Sequence, residues 1–190
     1  IETDGETFIR LNDSLKIIKK VYTGDSFSSI VSSQKPFGLR TFFKSVNPSK
    51  KNKDDVFLYA NRTSGYVPKE IITKNKELIG KWKVFIPMAN GSAGYEGKFK
   101  PILGKPNTAC TETYIVIGPF KNKEEAENAI SYIETKFFHF LLAQKKITQH
   151  ASKKVYEFIP LVDFSVSWSD EKLFSEFNLT QSEIKFICRM

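Results

Sequence analysis

The sequence predicts an α+β domain, in which a mixed or antiparallel sheet of short strands is joined by long loops. Apolar runs of strand length are separated by turns rich in glycine, proline and asparagine, and one stretch repeats apolar residues at helical spacing. The sequence has no evident internal repeat, and its pattern does not indicate a parallel βαβ array. With 41% apolar residues, including 17 phenylalanines and 7 tyrosines, the chain can bury a substantial core.

The first half of the chain predicts short helical segments and several strands. "NDSLKIIKK" (12–20) begins with residues that cap helices and continues with apolar residues at helical spacing. A strand is expected around Leu39–Phe43, and a lysine-rich surface loop follows it. "VFLYANRTSGYVP" (56–68) predicts a hairpin, and Trp82–Pro87 predicts a further strand.

The second half predicts the main helix. Residues 89–108 are rich in glycine and predict a long loop or a loose hairpin, and "TETYIVIGPF" (111–120) predicts a strand. One long amphipathic helix is expected over about residues 122–147, with Asn122 as its N-cap and Glu125 completing a capping box.

The end of the chain predicts a strand and two short helices. "KVYEFIPLVDF" (154–164) has the apolar pattern of a strand. In "WSDEKLFSEFNLTQSEIKFI" (168–187), Ser169 would cap the first helix, and Thr180 with Glu183 would form a capping box for the second. The length suits one domain over 1–190, with 166–190 as a short helical tail. Because the chain begins at Ile1 without a signal peptide, we expect it to be a fragment of a longer protein.

Charge and cysteine content narrow the class of partner. The formal net charge of +8 and the pI near 9.3 favour an anionic partner. No apolar run reaches the roughly 18 residues of a membrane span, so no membrane partner is expected. Two distant cysteines are typical of a reducing, cytoplasmic setting. Two cysteines and two histidines without ligand spacing predict no metal site.

The known catalytic motifs are not convincing in this sequence. "GSAGYEG" (91–97) lacks the spacing and the following helix of a phosphate-binding loop. The E-x-K pattern of many nucleases occurs at 96–98, 134–136 and 183–185, which is frequent enough to be uninformative. We therefore expect no catalytic, cofactor-binding or metal-binding residues in this chain.

Basic and amide side chains in several predicted loops indicate nucleic-acid binding. Lysines near phosphates release counterions, and Arg, Asn and Gln can read base edges. Lys145 and Lys146 also fit the end of a helix, and Lys50, Lys51 and Lys53 also fit a solvated loop. The candidate DNA-binding residues are Lys35, Arg40, Lys44, Arg62, Asn90, Ser92, Tyr95, Lys98, Lys100, Lys105, Gln144, Lys145, Lys146, Gln149, His150, Lys153 and Lys154.

Several long phrases resemble one protein family. They are "SSIVSSQKPFGLRT" (28–41), "ELIGKWKVFIPMANGSAG" (77–94), the run 105–164 that opens with "KPNTACTETYIVIGPF", and 168–187. This combination resembles the C-terminal target-recognition domain of bacterial Type II restriction–modification DNA methyltransferases that are adenine-specific, including enzymes fused to a restriction endonuclease.

The resemblance implies a specificity module without its chemistry. It would recognise a double-stranded DNA sequence and position the duplex for a separate catalytic domain of the same protein, which uses S-adenosylmethionine, and magnesium where the parent also cleaves DNA. The family's Asn-Pro-Pro-aromatic catalytic motif does not occur in this chain. Two alternatives stay open, which are a protein–protein docking module within a restriction–modification complex and a small metal-dependent endonuclease domain.

Overall fold

The computed structural model describes residues 12–88, 100–145 and 153–189, and these residues adopt the expected α+β fold. The described helices are α1 Asn12–Val21, α2 Lys123–Ile133, α3 Lys136–Lys145, α4 Asp170–Glu176 and α5 Gln181–Arg189. The described strands are β1 Val56–Ala60, β2 Thr63–Val67, β3 Trp82–Pro87, β4 Ile102–Gly104, β5 Thr108–Cys110 and β6 Tyr114–Phe120. None of these helices has the length and apolar character needed to cross a bilayer.

The strands form two three-stranded sheets. In the first, β3 lies between β4 and β6 and is antiparallel to both, so that Phe85 is opposite Ile102 on one side and Val116 on the other. In the second, β1 lies between β2 and β5, antiparallel to β2 and parallel to β5. The first sheet is therefore antiparallel and the second is mixed.

The first sheet is the middle layer of the molecule because both of its faces are buried. On β3, Val84 and Ile86 belong to the core formed with the helices, whereas Phe85 belongs to a second core formed with the β2-β1-β5 sheet. The alternation follows from the two-residue period of a strand. The ring of Phe85 lies 5.3 Å from that of Tyr59 on β1, which joins the two sheets.

The single long helix predicted over residues 122–147 is two helices, α2 and α3, so this prediction is wrong. The hydroxyl of Thr135 donates to the carbonyl of Tyr132 at 2.8 Å and accepts the N–H of Phe138 at 3.1 Å. The carboxylate of Asp170 accepts the N–H groups of Lys136 and Phe137 at 3.1 and 2.9 Å. These bonds satisfy the free N–H groups of a new helix N-terminus, which explains the break at 134–135.

Two predicted strands also differ from the structure. Residues 39–43 form a turn, in which the N–H of Phe43 donates to the carbonyl of Arg40. Residues 154–164 begin with a 3-10 turn and then pair through a single bridge between Ser26 and Pro160. In the segment 89–108, predicted as a long loop or loose hairpin, β4 pairs with β3 as the second strand of a hairpin and Thr108 begins β5, while residues 89–99 lie outside the described part of the chain.

The remaining elements agree with the sequence. The hairpin is β1–β2, the strand at Trp82–Pro87 is β3, and the two short C-terminal helices are α4 and α5. Ser169 caps α4 by accepting the N–H of Lys172, and Thr180 with Glu183 forms the capping box of α5. An ion pair of 3.0 Å between Lys20 and Glu183 joins α1 to α5.

Candidate nucleic-acid interface

Several segments meet at the end of the β2-β1-β5 sheet where β1 and β5 finish. The two strands are parallel and therefore end on the same side. Beyond them, the N–H of Thr111 donates to the carbonyl of Tyr59, and that of Glu112 donates to the carbonyl of Leu39 at 2.9 Å. The N–H of Met88, at the end of β3, donates to the carbonyl of Thr113. We call this region the strand-end surface and define it by Arg40, Phe42, Lys44, Arg62 and Lys100.

The turn at 40–44 carries two exposed cations, and hydrogen bonds hold its backbone in place. The carboxylate of Glu112 accepts the N–H of Thr41 at 3.1 Å and its hydroxyl at 3.4 Å. The N–H of Phe43 donates to the carbonyl of Arg40 at 3.0 Å, and the Phe43 ring packs against the second core. Arg40 and Lys44 are exposed on either side of these anchors.

Arg62 lies in the turn that joins β1 to β2. Ala60 and Thr63 are paired, so Asn61 and Arg62 alone reverse the chain. Arg62 has φ of 59°, a left-handed conformation that a non-glycine residue adopts mainly in tight turns. Its side chain is exposed at the same end of the sheet as Arg40.

Lys100 belongs to the first sheet and lies near the strand-end surface. It precedes β4 by two residues, and β4 is antiparallel to β3, so Lys100 lies towards the end of β3 at Pro87. Its side chain is exposed. The predicted residues Asn90, Ser92, Tyr95 and Lys98 belong to the stretch between Met88 and Lys100 and lie outside the described residues.

Two other predicted residues lie elsewhere. Lys35 begins a turn whose Pro36 carbonyl accepts the side-chain amide of Asn75 at 2.6 Å, in the segment that follows β2. Lys105 follows β4, and its carbonyl accepts the ammonium of Lys83 and the hydroxyl of Thr108. Lys105 lies beside the start of β3, away from the strand-end surface, whereas the turn of Lys35 leads into Leu39 and Arg40 and is also bonded by Thr73.

The described members of the basic group predicted near residues 144–154, which are Gln144, Lys145, Lys153 and Lys154, lie in the helical layer. Gln144 is 1% exposed, and its amide nitrogen donates to the carbonyl of Phe140, so it faces the core. Lys145 forms an ion pair with Glu157 and lies 5.0 Å from the centre of the Phe158 ring. Burial, with a smaller contribution from Lys154, lowers the pKa of Lys145.

Of the remaining residues in this group, Lys153 and Lys154 are exposed. Lys146, Gln149 and His150 lie outside the described residues. The described predicted residues are therefore divided between different parts of the molecule. The strand-end surface brings together Arg40, Lys44, Arg62 and Lys100, whereas Lys145, Lys153 and Lys154 lie on the far side of the middle sheet.

Two residues of this surface were missed by sequence reasoning. Phe42 is 79% exposed, although an aromatic residue in "RTFFK" is expected in the core. Glu112 anchors the turn at 40–44 across 71 residues of sequence, and no local pattern indicates this pairing. No local pattern indicates that Phe42 rather than Phe43 is exposed, because the two residues belong to a turn and not to an extended strand.

The described residues do not assemble a recognisable catalytic or metal-binding group. Within the described ranges, no cluster of three or more His, Cys, Asp or Glu side chains could hold a metal ion. Cys110 is buried, and burial raises the pKa of its thiol, which keeps it in the unreactive neutral form. The strand-end surface therefore offers exposed cations, on hydrogen-bonded turns, together with an exposed aromatic ring.

Comparisons with protein-family models, with curated proteins and with solved structures found no match to this chain.

Proposed function

We propose that this chain is a double-stranded DNA recognition module that binds the duplex with its strand-end surface. The observation that carries the proposal is the set of exposed cations Arg40, Lys44 and Arg62, mounted on hydrogen-bonded turns at one end of a sheet. In the described part of the chain, none of these three side chains forms an ion pair. The cations are therefore available to an external anion.

The residue types suit a duplex. Arginine presents a planar fork of donors that binds phosphate oxygens or the major-groove edge of guanine, and lysine contributes a point charge near phosphates. Arg40 and Arg62 supply two such forks, and Lys44 and Lys100 supply point charges. Because Arg40 and Arg62 lie on short anchored turns, little backbone entropy is lost when they bind.

The resemblance described above supports a finer proposal. The chain would be the target-recognition domain of an adenine-specific DNA methyltransferase of a restriction–modification system. It would select the site and hold the duplex, while a separate domain of the parent protein binds S-adenosylmethionine and transfers the methyl group.

The test is the binding of a fluorescein-labelled duplex of mixed sequence, about 30 base pairs long, measured by fluorescence anisotropy at increasing salt. Phosphate contacts release counterions, so the logarithm of the association constant should fall by about 0.9 per contact for each tenfold rise in salt. Selection from a randomised duplex pool should then enrich a single sequence.

Other results would identify a different function. Absent or salt-insensitive duplex binding would contradict the proposal and favour a protein-docking module. Magnesium-dependent cleavage of plasmid DNA by this chain alone would favour an endonuclease. A duplex pool that shows no enrichment would leave DNA binding but contradict target recognition.

A further inference from the structure

Phe42 is the most exposed large apolar side chain reported for the described residues. It is 79% exposed, compared with 48% for Tyr22 and 46% for Val166. Burying a phenylalanine side chain stabilises a protein by roughly 1.5–3 kcal/mol. The free protein gains little of this from Phe42, whereas the adjacent Phe43 packs against the second core.

The backbone beneath Phe42 is held on both sides. Thr41, which precedes it, is bonded to the Glu112 carboxylate through its N–H and its hydroxyl. Phe43, which follows it, donates its N–H to the Arg40 carbonyl and packs its ring inwards. The exposed position of the Phe42 ring is thus set by bonded neighbours on each side.

The charges around Phe42 indicate what its ring contacts. Arg40 and Lys44 lie two residues before and two residues after it, and both are exposed. A purely apolar protein partner would have to desolvate these cations without compensation. A nucleic-acid duplex has phosphates on its outside and aromatic bases inside, which matches an apolar ring between two cations.

We propose that Phe42 inserts into the duplex and unstacks one base step while Arg40 and Lys44 bind the flanking phosphates. This inference rests on the proposed function and assigns a role within it. Apolar side chains, phenylalanine among them, are known to wedge between base pairs and kink DNA. The step involves no covalent change, since the ring replaces base–base stacking with ring–base stacking.

The test uses duplexes of about 30 base pairs in which 2-aminopurine replaces adenine at one position after another, because its fluorescence rises when it is unstacked. The wild-type chain should raise the fluorescence at one or two adjacent positions. Phe42→Ala should abolish that rise and weaken binding about tenfold, as expected for the loss of ring–base stacking. Its salt dependence should stay unchanged, because no charge is removed.

Arg40→Ala is the matched control. At saturating protein it should keep the fluorescence rise, and it should lower the salt dependence by about one phosphate contact. Phe42→Trp should restore the rise lost in Phe42→Ala, since it also presents an aromatic face.

The possible failures are distinguishable. If the wild-type chain binds duplex without any rise, or if Phe42→Ala raises the fluorescence equally, the wedge is contradicted and DNA recognition stands. If the wild-type chain does not bind duplex, the proposed function fails and the wedge fails with it. Because Phe42 is exposed, the circular dichroism spectrum of Phe42→Ala should match that of the wild type.

Discussion

At the scale of single residues, Lys83 is the most unusual feature of the fold. It is a fully buried lysine on β3, and its ammonium donates to the carbonyls of Ile79, Lys81 and Lys105 at 3.1, 2.9 and 3.2 Å. Burial lowers the pKa of Lys83 to about 8, and only its protonated form has a donor for each of the three carbonyls. Lys83 therefore joins the start of β3 to the turn after β4.

We predict that Lys83→Met lowers the free energy of unfolding by about 1–3 kcal/mol at neutral pH, because it leaves buried carbonyl groups without their donor. Urea denaturation measures the change. The control is Lys81→Met, which removes an exposed ammonium two residues away and keeps the acceptor carbonyl. Equal losses in the two variants would show that the buried hydrogen bonds contribute nothing.

The prediction of the site was limited because the sequence does not show which single side chains are exposed and which are buried. The sequence indicated that Arg40, Lys44 and Arg62 are surface residues, and they are exposed. It placed Gln144 within the predicted helix but could not show that this polar side chain lies on the buried face, where its amide donates to the carbonyl of Phe140. It also gave no reason to expect Phe42 rather than Phe43 on the outside, since that choice depends on the distant anchor at Glu112.

At the scale of elements, those that depend on residues close in sequence were predicted correctly, and those that depend on distant residues were not. The β1–β2 hairpin, β3, and the capped helices α4 and α5 are determined by neighbouring residues and were predicted correctly. The break between α2 and α3 depends on Asp170, which is more than 30 residues away in sequence. The short strands β4 and β5 exist because of their pairing with β3 and β1, which sequence periodicity does not reveal.

The role of Asp170 is testable. We predict that Asp170→Ala lowers the free energy of unfolding by about 1–2 kcal/mol, because its carboxylate caps the N-terminus of α3 from another element. Glu176→Ala, at an exposed position of the same helix α4, is the control and should change stability by less than about 0.5 kcal/mol. A loss no greater than that of the control, measured by urea denaturation, would contradict the cap.

At the scale of the whole molecule, the three-layer arrangement determines which cations can act together. The middle sheet separates the cations of the helical layer, near Lys145 and Lys154, from those at the end of the β2-β1-β5 sheet. The net charge of +8 predicted a basic surface. It could not show that the cations fall into two groups on either side of the middle sheet, because the layers are built by pairing between distant strands. The proposed interface is accordingly smaller than the predicted set of residues.

The central claim is that duplex DNA binds the strand-end surface in particular. The most direct measurement compares the salt dependence of duplex binding by two triple variants that lose the same charge. One is Arg40→Ala/Lys44→Ala/Arg62→Ala, and the other is Lys153→Ala/Lys154→Ala/Lys185→Ala, whose three lysines are exposed in the helical layer on the other side of the middle sheet.

Each lost phosphate contact lowers the slope of log association constant against log salt by about one. We predict that the first variant reduces the magnitude of the slope by about 3 and that the second leaves it within about one unit of the wild type. An equal reduction in both variants, or a larger one in the second, would contradict the claim that this surface holds the duplex.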